Sequence, residues 1–155
     1  MCVEKTPWEL VIDFHGHTCP GIALGYRVAQ LAQREMGIRP TPDSEVLVKA
    51  YTQSCAVDAM QILNKATLGR RALMIEETQQ HLYQFHFTGT QEIHQFRIAQ
   101  EVIEHLAAFN IQSLSPREKQ NKILEEVQYV LSVEESAFCH YELIPGELKK
   151  TVPHR

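Results

Sequence analysis

The run Phe14-His15-Gly16-His17-Thr18-Cys19-Pro20-Gly21 constrains this chain more than any other segment. A helix cannot pass through it. Gly16 favours irregular backbone, and Pro20 has no amide hydrogen but a φ suited to the first helical position. One helix must therefore end near Phe14 and another begin at Pro20, which leaves Cys19 at or near the second N-cap. The turn between them carries two imidazoles and a thiol at alternate positions, with Gly16 freeing the backbone to aim both rings inward. Imidazole and thiolate together suit zinc, and also nickel, iron or copper.

The flanking pattern extends this reading. Thr6-Pro7-Trp8-Glu9 has the signature of a helix start with a capping box. Leu24, Val28, Leu31 and Ala32 share one face of the second helix, which stops at Gly37. Pro40 and Pro42 mark a loop. Strands are expected over residues 45–51, 72–76, 82–87 and 92–98, with Thr88-Gly89-Thr90 as a hairpin turn. A third helix begins at Ser54 or Cys55, with Val57, Met60 and Ile62 as its apolar positions, and a fourth runs over about 100–109. Ser115-Pro116-Arg117-Glu118 opens a long helix with Ile123, Leu124, Val127 and Leu131 on one face. Residues 138–144 form a last strand, and the tail from Pro145 is expected to be loose. Helices and strands mix without strict βαβ alternation, so the class is α+β: one domain over residues 1–155, ordered over about 5–145, with a mostly antiparallel sheet packed by helices.

At 155 residues the chain is long enough for a full core. Fifteen basic residues against 19 acidic ones give a net charge of −4, without a basic cluster, so neither nucleic acid nor an anionic membrane is an expected partner. No run approaches the roughly 20 apolar residues of a membrane span, and the N-terminus lacks a signal-peptide core. The expected location is the cytoplasm, where Cys2, Cys19, Cys55 and Cys139 remain thiols or metal ligands.

Cys55, like Cys19, falls at a helix start, where free amides and the helix dipole favour a thiolate. Asp58 lies one turn further on. It is placed to accept a hydrogen bond from a ligand imidazole or to take a proton near a metal-bound water; with Cys19, it is the candidate for catalysis. One of Tyr26 and Arg27 is expected to reach the same cavity, Arg27 serving an anionic substrate. Cys2 and Cys139 read as incidental or structural thiols. His81, His86, His94, His105, His140 and His154 read as surface or satisfied core residues.

These motifs resemble the FmdE family, named for a component of formylmethanofuran dehydrogenase. The resemblance rests on Phe14 to Gly21 running into Gly25-Tyr26-Arg27-Val28-Ala29, then on Ser54-Cys55-Ala56-Val57-Asp58-Ala59-Met60-Gln61 and Thr67-Leu68-Gly69. It implies an α+β core that forms homodimers, with a pocket lined by His15, His17, Cys19 and Cys55 and with Asp58 close by. Members of the family were first noted beside a molybdenum or tungsten dehydrogenase acting on formylmethanofuran. Two departures stand out. The paired Cys-x-x-Cys of a C-terminal zinc finger, which some members carry, is missing. The segment Thr67-Leu68-Gly69-Arg70-Arg71 also replaces the usual glycine-rich continuation, which is expected to bias that edge of the pocket toward an anion.

Three functions compete. The first is a zinc-, nickel- or iron-dependent protein tied to molybdenum or tungsten enzyme chemistry or to one-carbon chemistry, acting on a small molecule or anion. The second is thiol chemistry, with Cys19 or Cys55 as nucleophile or sulfur carrier and His15 or His17 as base. The third is a non-catalytic, dimeric accessory protein.

Overall fold

A computed structural model describes residues 4–37, 45–108 and 110–150. The expected loop at Pro40 and Pro42, and also Cys2, Phe109 and His154, lie outside the described residues.

Helix α1 (Pro7–His15) starts where Thr6 Oγ1 accepts the Glu9 amide and ends at Gly16, a left-handed residue with φ 98°. Helix α2 (Pro20–Met36) is capped by Cys19 and closed by Gly37 in the same left-handed region. Strand β1 (Val46–Ala50) leads into α3 (Ala56–Leu63), which returns to β2 (Leu73–Ile75). The hairpin β3 (Leu82–Phe87) and β4 (Glu92–Ile98) follows, then α4 (Gln100–Ala107), α5 (Pro116–Ser132), the short α6 (Glu135–Phe138) and β5 (Cys139–Pro145). The full capping box of Ser115 and Glu118 is present at the start of α5.

The five strands are ordered β2-β1-β3-β4-β5. Only β1 and β2 run parallel, joined through α3, and the other three pairings are antiparallel. The domain is therefore α+β with a mostly antiparallel sheet. Val46, Val48, Tyr83, Phe85 and Phe96 sit on one sheet face by register, and all are buried. Phe85 and Phe96 meet edge to face at 5.6 Å. Against this face lies α2, whose buried stripe of Ile22, Leu24, Val28 and Ala32 follows helical spacing. On its other flank α2 holds α3, and α1 closes over both.

Three local expectations fail. Leu124 is 47% exposed, whereas Val127 of the expected face is buried and Ile123 and Leu131 pack on the core; Val130 and Glu126, which meets His105 of α4 at 2.7 Å, are buried beside them. Phe138 belongs to a helical turn, so the last strand starts one residue later. The described part of the tail, residues 146–150, is pinned rather than loose. Gly146 donates to the Gln91 carbonyl at 2.9 Å, Leu148 packs on the core and donates to His86 Nδ1, and Lys150 binds Glu45 and the Arg70 carbonyl. No helix among the described residues is long and apolar enough to cross a membrane.

Candidate metal centre

The turn between α1 and α2 holds His15, His17 and Cys19 with their ligand atoms all within 4.8 Å of one another. Local chemistry explains this. The left-handed Gly16 swings the chain out of α1, and Pro20 restarts a helix at once, so three alternate side chains are folded back on one another. The His15 and His17 rings lie 4.5 Å apart. Cys19 Sγ accepts the Ile22 amide at 3.4 Å, which holds the sulfur at the positive end of α2.

His15 is the best-positioned donor. Its Nδ1 meets Asp58 Oδ2 at 2.7 Å, and its side chain is 9% exposed. Its other nitrogen, Nε2, stands 3.7 Å from Cys19 Sγ. Two donors on one tetrahedral zinc lie about 3.6 Å apart for a sulfur and a nitrogen at ordinary bond lengths. The pair therefore already has the separation a metal requires, with a carboxylate orienting the imidazole from behind. Imidazole and thiol donors of this kind suit zinc, and the His15–Cys19 pair has its spacing.

Helix α3 delivers the remaining groups. Cys55 stands beside Cys19 at the start of α3: a Cβ added to Gly21 would touch Cys55 Cβ at 3.1 Å and lie 3.7 and 3.9 Å from the two sulfurs. The structure thus brings the two thiols together across Gly21. Of the two residues expected at the start of α3, Ser54 supplies the capping oxygen: its Oγ accepts the Ala56 amide, and Cys55 makes no capping hydrogen bond. Burial pushes the Cys55 thiol up to about 11, and the neighbouring Cys19 and Asp58 charges push the same way. Without a metal, Cys55 is a thiol rather than the thiolate that its helix position suggests.

Gln61 ties the site to the following loop. Its Nε2 donates to Asp58 Oδ1 at 3.4 Å, and its Oε1 accepts the Leu68 amide at 3.0 Å. Sequence reasoning assigned no role to Gln61, although its spacing of three from Asp58 places both on one helix face.

Arg27 and Tyr26 do not serve the site. Arg27 donates to the Val130 carbonyl at 2.8 Å and lies over the Phe138 ring at 4.5 Å, so it anchors α2 to α5 and α6. Tyr26 packs edge-on against Trp8. At the edge expected to favour an anion, Arg70 is engaged by Glu45 at 3.6 Å, and Arg71 adopts φ 59° in an exposed turn. Cys139 is buried in β5, away from the cluster.

Comparison with known proteins bears on the family and the fold. The family profile described as FmdE, Molybdenum formylmethanofuran dehydrogenase operon, matches residues 14–140. A probable S-adenosyl-L-methionine-binding protein of Archaeoglobus fulgidus is 30% identical over 66 residues, covering 40% of this chain. The match takes in only 18% of that relative's length. The solved structure of a tungsten formylmethanofuran dehydrogenase FmdE-like protein from Syntrophus aciditrophicus superimposes with a TM-score of 0.61 at 19% identity. That alignment covers 94% of this chain and 74% of the other, and it speaks to the fold.

Proposed function

Because the chain belongs to the FmdE family, we propose that it is a metal-binding protein linked to molybdenum or tungsten formylmethanofuran dehydrogenase-type or one-carbon chemistry. Zinc, with nickel or iron as substitutes, is held by His15, His17, Cys19 and Cys55. The observation that carries this reading is the Asp58–His15 hydrogen bond at 2.7 Å, which fixes the Nδ1–H tautomer and turns Nε2 toward Cys19.

A bound zinc would supply a Lewis acid, and only with one of the four side chains off the metal would an open position take a water and lower its pKa. The chain's own residues do the rest. Asp58 holds the His15 proton at Nδ1, and Gln61 keeps the carboxylate in place from the opposite side. Cys55 gives up its proton when a metal takes the sulfur. The substrate is a small molecule or anion, the assembly is a homodimer, and the setting is the cytoplasm, without nucleic acid or membrane.

A second reading is favoured by the contact of Cys19 and Cys55: a dithiol centre in which Cys19, capping α2, is the nucleophile or sulfur carrier. Elemental analysis of tag-free protein separates the two. Near-stoichiometric metal that falls in Cys19→Ser and Cys55→Ser, but not in Cys139→Ser, is the expected result. Wild-type protein that carries no metal and takes up no added zinc, nickel or iron removes the metal reading and leaves the dithiol.

A further inference from the structure

A second cleft, of about 580 Å³, opens where β4 runs into α4 and α6 runs into β5. It is built from elements other than α1, α2 and α3, which carry the metal centre. Its volume is in the range of small-molecule sites.

The chemistry of its wall is one-sided. Arg97, His81 and His140 line it, together with glutamines and Ser136, and no carboxylate does so among the described residues. This is unusual in a chain with 19 acidic residues and a net charge of −4. Arg97 and His140 are paired across β4 and β5 by register, so they enter from one sheet face side by side. Arg97 has no carboxylate partner among the ion pairs of the described residues. His81 Nδ1 is a buried polar atom that the protein leaves without a hydrogen-bond partner. Ala99, the N-cap of α4, has no side-chain oxygen for the first-turn amides, and both Ala99 and Gln100 lie in the wall. The opposite side of the cleft is apolar, made of Ile98, Ile103 and the buried Cys139. Glu77 acts on His81 from outside the lining set.

We infer that this cleft binds a small organic oxyanion, its charged head on Arg97 and His140 and its apolar body against Ile98 and Ile103. A guanidinium flanked by imidazoles provides charge-assisted donors for such a head. A site that combines a few convergent polar groups with an apolar wall suits a ligand with both characters.

The test is amide NMR on the full chain, titrated with benzoate, benzyl alcohol and inorganic phosphate in turn. Benzoate is expected to shift the Gln80, Arg97, Gln100 and Ser136 amides saturably. Benzyl alcohol, which keeps the ring and lacks the charge, should bind about tenfold more weakly or worse, and Arg97→Met should lose a similar factor for benzoate. His140→Gln serves as a second variant should Arg97→Met fail to give a native spectrum. Benzoate binding should persist unchanged in Cys19→Ser, which separates this cleft from the metal centre. Absence of saturable shifts, shifts centred on the His15–Cys19 turn, or equal affinity for benzyl alcohol and benzoate would each overturn the inference. Unchanged affinity in both variants would do the same. Phosphate saturating the same amides where benzoate does not would overturn the mixed polar and apolar site.

Discussion

Gly25 and Ala56 meet backbone to backbone: a Cβ on Gly25 would stand 2.2 Å from the Ala56 carbonyl oxygen and 2.5 Å from its Cα. This approach sets the distance between α2 and α3 one turn below Gly21, and thereby the distance between Cys19 and Cys55. Gly25→Ala is expected to destabilise the fold by about 1–3 kcal/mol or more, since neither helix backbone can yield easily. It should also lower metal content. Gly69, with nothing within 4 Å of its Cβ position, is the control. Denaturant unfolding and elemental analysis of both variants check this; a Gly25→Ala protein as stable as Gly69→Ala would show that the helices separate without cost.

Much of this architecture is legible in the amino-acid sequence. Pro7, Pro20 and Pro116 each start a helix where their fixed φ and missing amide favour it, and Gly16 and Gly37 end two of them. The hairpin of β3 and β4 follows from alternation around a Thr-Gly-Thr turn. The proximity of His15, His17 and Cys19 follows from their spacing in a turn. The failures have a common cause: they depend on what a side chain meets elsewhere in the fold. Arg27 looks like an anion-binding group until Val130 and Phe138, more than a hundred residues on, are seen to claim it. Leu124 fits a buried helix face by spacing, yet it is exposed while Val130 and Glu126, which meets His105, are buried beside Val127. The second cleft is invisible in sequence because its lining is scattered along the chain and forms no motif.

Asp58→Asn keeps the shape and removes the charge that orients His15. Metal affinity is expected to fall about 10- to 100-fold without being abolished, as for other carboxylates that support a ligand imidazole. Competition titration against a chromophoric chelator measures it. Complete loss of metal would make Asp58 itself a ligand; an unchanged affinity would mean that the 2.7 Å contact does no orienting.

Arg27→Met tests the reassignment of Arg27 from ligand binding to architecture. Losing the bond to the Val130 carbonyl and the stacking on Phe138 should cost about 1–3 kcal/mol of stability while leaving metal content at the wild-type level. A stable variant with less metal would return Arg27 to the site.

Burial holds the His81 and His94 imidazoles below the usual histidine value. Both protonate more readily in the unfolded chain, so below about pH 6.5 the unfolded state binds more protons and stability declines as pH falls. In metal-free protein the unfolding midpoint should drop between roughly pH 7 and pH 5, and the double variant His81→Gln with His94→Gln should show a flatter profile. A wild-type midpoint that is level over this interval would contradict the shifts.

His15, His17 and Cys19 are neighbours in sequence, whereas Cys55 and Asp58 arrive only when α3 docks. If the site holds a metal, a denatured chain would therefore retain a short peptide with three of its donors. Such an ion would raise stability by less than its affinity for the native state alone would give, because part of that affinity would survive unfolding. It would also stay on the α1–α2 turn through refolding, so that docking of α3 would add the fourth of the four proposed ligands.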